Sequence, residues 1–294
     1  MKKLLMATLV AAFATTASAQ VTLSGKIAEY IDNTKTGSTS VTKMFHEPTS
    51  NIRFDATEKL GDFTARAALE TSLFGSNMSA DPATRLGDRQ KTVGLATAMG
   101  SVDFGRNVHS HFLAVGINDA FGMVYGTVAG DLHGSYYRGL RLSDAVYLNV
   151  TPSKNFSVQY ETTQGAAVET KVMGAAASLG PVNARVARWD RGAEQSTVFG
   201  MNTKPTANTT VGYIYSKDTG VKQDSAHSVH LVQRMGVVSV KGTWGKTDSE
   251  VKAYALGADY HLSKRTEIGL AFNNIDRPTT ADSRTVGLGI VHRF

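Results

Sequence analysis

The chain has 294 residues, no cysteine, 28 glycines and a formal charge of +6. Without cysteine an exported protein of this size has neither disulfide staples nor thiol chemistry, and so mild a basic excess is not the clustered stripe that nucleic acid requires. Abundant glycine beside 41% hydrophobic residues suits many short strands and turns rather than long helices.

Residues 1–19 are expected to be a cleaved secretory signal. Lys2 and Lys3 form a basic start, Leu4 to Thr15 an apolar run, and Ala17-Ser18-Ala19 a cleavage site before Gln20. The run falls short of the ~20 apolar residues that a spanning helix needs. The expected mature domain, 20–294, has 275 residues with 29 basic and 25 acidic side chains. It contains no apolar run of about 18 residues, so no helix is expected to cross a bilayer.

From Val21 the sequence alternates with period two. Val21 to Ile31 reads as the first strand, followed by a polar loop through Ser50. Asn51 to Glu58 and Phe63 to Ser72 flank the turn Lys59-Leu60-Gly61-Asp62, and a second long loop runs to about Asp88. Gln90 to Thr97 and Ser101 to Arg106 pair around Ala98-Met99-Gly100, before the longest irregular stretch, Asn107 to about Leu142. Ala145 to Val150 and Phe156 to Thr163 follow, then Thr170 to Leu179 and Val182 to Trp189 around Gly180-Pro181. Thr197 to Asn202, Thr209 to Ser216, Ser228 to Gln233, Val238 to Trp244, Tyr254 to His261 and Thr266 to Asn274 continue the series. A last loop with Pro278 leads into the closing strand, Arg284 to Phe294.

That order amounts to sixteen strands of ~10 residues, with short turns and long loops strictly alternating, as in a transmembrane barrel whose long loops all leave one end. The expected fold is therefore all-β, a sixteen-stranded antiparallel transmembrane barrel with short periplasmic turns and long external loops in the Gram-negative outer membrane. A secreted soluble sandwich also alternates, but does not sort its loops by length.

In such a barrel the apolar face meets lipid and the polar face the lumen. Lys26, Arg53, Asp55, Arg66, Glu70, Asp103, Glu161, Arg185, Lys241, Asp259 and Glu267 fall on the inward face. Solvated in a channel these charges set the field for ions, whereas unpaired in a dry core each would cost several kcal/mol. Phe63, Tyr160, Tyr213, Tyr215, Trp244, Tyr260 and Phe294 fall outward as interfacial girdle candidates. The 107–142 stretch is long enough to fold inward and narrow the pore; the alternative is an ordinary external loop. It offers Asp119 and Asp131, with Arg106, His109, His111, Arg138 and Arg141 on the basic side. With Arg53 and Arg66 on neighbouring strands, an acidic loop facing a basic wall is expected at the constriction.

Enzyme signals are poor. His109-x-His111 is a minimal imidazole pair with no third ligand at a telling spacing, so no metal site is expected, and no cofactor. Nucleophile-elbow, phosphate-loop and zinc-protease motifs are missing from the sequence. Asn77, Asn149, Asn155 and Asn208 open N-x-S/T triplets, read as chance matches.

Asn51-Ile52-Arg53-Phe54 through Glu58-Lys59-Leu60-Gly61 to Glu70 resembles the second and third strands of the Gram-negative porins of the β-proteobacterial type. Val93-Gly94-Leu95 with Gly100-Ser101-Val102-Asp103-Phe104-Gly105-Arg106 resembles another paired motif of that family. Leu256 to Thr266 is similar to its penultimate hairpin, and Val286 to Phe294 to its closing strand. The resemblance implies a homotrimeric general-diffusion channel for ions and small hydrophilic solutes, with its third loop folded inward. It also implies basic wall positions at Arg53, Arg66 and Arg106, and a terminal Phe294 read by the outer-membrane assembly machinery. A solute-selective channel, and more remotely a barrel hydrolase using His109, His111 or His133, are the competing readings.

Overall fold

The computed structural model describes residues 19–73, 86–133, 140–220 and 224–294. Residues 1–18, with almost all of the expected signal, lie outside the described residues, as do Asn77 and Arg138. Seventeen strand segments form one antiparallel sheet that closes on itself. They begin with β1 (Gln20–Thr36), β2 (Thr39–His46), β3 (Asn51–Leu60), β4 (Phe63–Ser72), β5 (Gln90–Thr97) and β6 (Gly100–Val108). After two short helices, α1 (Ser110–Gly116) and α2 (Ala129–Leu132), come β7 (Arg141–Ser153), β8 (Phe156–Thr163), β9 (Thr170–Leu179) and β10 (Val182–Arg191). The series ends with β11 (Glu194–Thr206), β12 (Thr209–Thr219), β13 (Asp224–Met235) and β14 (Val238–Thr247), then β15 (Lys252–His261), β16 (Thr266–Asp276) and β17 (Ser283–Arg293).

Seventeen segments make sixteen staves, because β2 and β3 follow one another along the same edge of β1. β2 pairs with Glu29 to Thr36, and β3 with Gln20 to Lys26. The segment expected to be a polar loop through Ser50 is therefore mostly strand: a tight turn at Gly37, φ +57°, and then β2. Of its outward residues Ser40, Thr42, Met44 and His46 only Met44 is apolar, which hid the strand from a pattern built on hydrophobicity. The break at Glu47 to Ser50 is what leaves two segments instead of one long stave.

Closure falls between β1 and β17, in register from Lys26 opposite Arg293 to Thr36 opposite Ser283. Phe294 finishes the seam. Its backbone exchanges two hydrogen bonds with Gly25, 3.0 and 3.1 Å, and its ring lies where any Cβ on Gly25 would stand. Along β17 the alternation holds: Val286, Leu288 and Ile290 are about half exposed outward, while Gly287 and Val291 are buried inward. The same outward exposure recurs around the wall, as at Phe63, Phe104, Met173, Trp244 and Leu256. A belt of this kind is intolerable in water and right for lipid. No described helix is long and apolar enough to cross a membrane, so crossing belongs to the strands.

The apolar core is inside the barrel, between the wall and the 107–133 segment. One cluster joins Tyr30, Ala253, Ala255 and Ala271 of the wall to Phe121, Tyr125, Val128 and Leu132 of that segment. A second joins Ala187, Val198 and Ile214 to Ala114, Val115 and Ala129.

Candidate functional site: the inward loop and the channel beside it

The chain leaves β6 through a bulge between Gly105 and Asn107 and turns into the lumen. His109 caps α1, its side chain accepting from Phe112 N at 3.2 Å. The helix lies against the inner faces of β9, β10 and β11. Ser110 donates twice to Glu161, N and Oγ both at 3.0 Å, and His111 Nε2 meets Ser196 Oγ at 2.8 Å. Beyond the helix, Asn118 bridges Ala114 O (2.7 Å) and Asn202 Nδ2 (2.8 Å). His133 closes the docked stretch between Ser216 Oγ (2.7 Å) and Ser228 Oγ (2.8 Å).

The wall is shaped to receive this segment. Gly174, Gly200, Gly212, Gly245, Gly257 and Gly287 face inward on six strands. A Cβ on any of them would strike the segment, at Ser110, Ala114 O, Asn118 O, Leu132, Phe121 and Tyr125 respectively. The glycines let backbone approach backbone; at Gly200 and Gly287 no side chain fits without expelling the loop. Burial pushes the His111 imidazole down to about 3, with His109 and His133 adding to the effect. Burial beside His230 and His227 lowers His133 likewise to about 3. Both rings are therefore neutral at physiological pH and serve as hydrogen-bonding pegs.

The opposite wall, β1 to β6, carries charge. Arg53 grips Asp55 with a fork (2.6 and 2.7 Å), reaches Glu70 at 3.1 Å and donates to Gln90 at 2.6 Å. Glu70 also holds Arg89, whose Nη1 donates to Pro48 O at 3.0 Å. On β4, four residues from Glu70, Arg66 forks onto Asp103 and donates to Ser101 at 2.7 Å. Arg106 donates to Asp88 O (2.6 Å) and to Ser143, and Lys26 donates to Thr49. Between this wall and the free edge of the loop runs a cavity of about 1010 Å³, lined among others by Lys26, Glu70, Arg89, Phe112, Met123 and Arg141.

The expected pairing of an acidic loop with a basic wall is not what the chain builds. Asp119 does not face the channel: its side chain is fully buried, and one oxygen accepts from Met123 N and Thr127 Oγ1, both at 2.8 Å. The other oxygen lies 3.5 Å from His230, on the docked wall. Asp131 is likewise on the docked side, on α2 against β13 to β15, and pairs with Arg277 at 2.8 Å. Both carboxylates are consumed in seating the loop. The acids at the cavity are instead Asp32, Glu47 and Glu70, opposed by Lys26, Lys43, Arg89 and Arg141. Sequence reasoning missed Asp32, Lys43, Glu47 and Arg89. The first three lie in the segment read as a polar loop, and Arg89 immediately precedes the expected start of β5.

A closed barrel with an apolar outside, a charged inner wall and an inward loop defines the class, a membrane channel of the outer-membrane type. The family model described as Gram-negative porin matches residues 7–280, and the chain belongs to that family. The anion-selective porin from Comamonas acidovorans superposes with TM-score 0.80 at 18% identity, covering 94% of this chain and 100% of its own. A loop L8 deletion mutant of OmpT, an outer-membrane protein of Vibrio cholerae, gives 0.74 at 11%, covering 94% and 99%. Salmonella typhi OmpF, in complex with daunomycin, gives 0.67 at 14%, covering 93% and 97%. Comparison with curated protein sequences returned no match. The chain is thus an outer-membrane porin, a channel for passive diffusion rather than an enzyme.

Proposed function

We propose that diffusion is limited where the free edge of the inward loop faces Lys26, Glu70, Arg89 and Arg141, with Arg53 behind Glu70. One observation carries this reading. The loop is seated on the glycine-lined far wall, and the cavity of about 1010 Å³ remains between it and the charged wall. Solutes passing there meet more cationic than anionic groups, which favours a slight preference for anions. Arg66 and Asp103 tune the lower part of the same wall, and Arg106 its upper part. Asp119 and Asp131 act in holding the loop, not in selecting ions. The cavity's width and its mixed charged lining favour general diffusion over a solute-selective channel.

The working unit is a homotrimer. Glu29 and His46 form a 2.8 Å pair on the outward face, flanked by exposed Ile27, Ile31 and Met44. A pair of this kind is unfavourable against acyl chains and natural against a neighbouring barrel. Further down the same outward face, Ala56, Ala65 and Ala67 are small enough for close approach. Planar-bilayer recording of refolded protein under a salt gradient tests both points. Conductance steps in groups of three and a small anion-signed reversal potential are expected. No conductance from correctly inserted protein, or single unpaired steps throughout, would overturn them. Removal of Phe294 is expected to cut insertion yield far more than the conductance of barrels that do form. Normal yield in the truncated chain would refute the assembly role.

A further inference from the structure

On the inner wall beside the short turn between β15 and β16, next to Lys241, which lies 5.7 Å from the ring of the loop's Phe121, three ligands converge. Asp259 and His261 on β15 and Glu267 on β16 each offer a donor atom, and these atoms lie within 4.8 Å of one another. His261 and Glu267 are direct cross-strand partners, and Nδ1 of the first stands 3.2 Å from Oε2 of the second. Two ligands on one tetrahedral ion with bonds of 2.0–2.1 Å are separated by about 3.3 Å, so this edge is already set.

What distinguishes the trio from an ordinary ion-pair network is how the remaining atoms are held. His261 Nε2 meets Ser239 Oγ at 2.9 Å, which fixes the ring and directs Nδ1 toward the other ligands. Glu267 Oε1 is taken by Arg293 at 2.8 Å, leaving Oε2 toward His261. Asp259 Oδ2 is taken by Lys241 at 2.5 Å, while Oδ1 turns toward β16 beside Gly269. Each ligand is thus anchored by one atom and presents the other, the arrangement that supporting hydrogen bonds give to metal ligands. The spacing hid it: the ligands lie across a turn and belong to no compact motif.

We propose that Asp259, His261 and Glu267 form a binding site for a borderline first-row dication, of which zinc is the probe. An imidazole with two carboxylates suits such an ion, whereas calcium and magnesium favour sites built of oxygen alone. Lys241 and Arg293 already balance the two carboxylates, so geometry rather than bare negative charge selects the ion and binding is of moderate strength. His261 retains 23% and Glu267 14% of their side-chain exposure, so lumen water can complete the coordination. Because the site lies on the inner wall near Phe294, a bound dication adds positive charge at the periplasmic mouth.

Titration calorimetry of the detergent-solubilised protein with zinc chloride reads binding directly, whether or not the barrel conducts. One zinc per chain in the micromolar range is expected, and magnesium in excess should not compete. His261→Ala should abolish this site, and Ser239→Ala should weaken it by about 10-fold or more, as loss of a supporting hydrogen bond does. Glu267→Gln serves in its place should His261→Ala fail to fold, judged by its heat-dependent gel mobility. No binding to the native chain at millimolar zinc would overturn the proposal. So would equal binding by His261→Ala, which would place zinc on outward histidines such as His46 and His292, or displacement by magnesium.

Discussion

The two halves of the inner wall solve opposite problems with the same strand geometry. From β9 to β17 the inward positions beneath the loop are mostly small or neutral, and the loop is pressed onto them, backbone to backbone at Gly200 and Gly212. The inward charges Lys241, Asp259 and Glu267 gather instead near the periplasmic turns. From β1 to β6 the inward positions carry Arg, Lys, Asp and Glu among a few apolar residues such as Tyr30. Many of these charges are linked to one another, and Lys26, Asp32, Lys43 and Glu70 line the cavity. Small side chains invite a neighbour; long charged ones keep it away, since their desolvation would cost several kcal/mol for each ion left unpaired. The loop therefore goes to one side because of what both walls carry.

The sharpest way to break this contrast is Gly200→Val. The new Cβ would stand on Ala114 O. Unseating the loop is expected to raise single-channel conductance several-fold and lower thermal stability by a few kcal/mol, a strain of the overpacking kind. Gly242→Val is the control, because its Cβ position meets only the Leu256 side chain, at 3.7 Å. Equal conductance in both variants would dismiss the seated loop as the restriction.

Acid should loosen the docked side next. A free imidazole titrates near 6.5, and His111 and His133 when seated only near 3. Seating is thus at full strength above about 6.5. It weakens as pH falls toward 3, because the released loop binds protons that the seated loop refuses, on the order of 1.4 kcal/mol per pH unit for each ring. Protease accessibility of the loop and open-channel noise should both rise across that window. His133→Asn should flatten the response, and a response unchanged in a variant lacking both rings would discount them.

On the charged side the effects are smaller. Arg53→Ala should shift the reversal potential toward cations while costing about 1 kcal/mol or less, since the pair is partly exposed. Smallest of all, Asp131→Asn should leave selectivity where it was, although that aspartate lies in the restricting loop. A cation-to-anion shift from Asp131→Asn equal to that from Arg53→Ala would restore the acidic-loop arrangement.

Much of the barrel was legible because period two is a local signal: Phe63 to Ser72 announces which residue faces which way. Sorting loops by length then supplied strand number and direction. The stretch Thr39–His46 escaped because its outward face is mostly polar, with Met44 alone apolar, so alternation told little. The site was harder still. Asp119 and Asp131 look like any loop acids in sequence, and only the packed structure shows that Thr127, His230 and Arg277 claim them. The inward glycines were visible one at a time, but what each makes room for lies far away in the chain, 162 residues in the case of Gly287 and Tyr125.

The interruption between β2 and β3 has a consequence for assembly. Because the second stave breaks there, Glu47 points into the lumen, where its Oε2 accepts from Tyr125 N at 2.7 Å. Tyr125 stacks on Tyr30 of β1 at 4.1 Å and fills the space that Gly287 of β17 leaves free. The tip of the loop thus rests on both ends of the chain at once, bracing from within the joint that β1 and β17 make. Contacts so distant in sequence form late. The restriction is therefore completed only as the barrel shuts, and an unclosed sheet has no seat for the loop's tip.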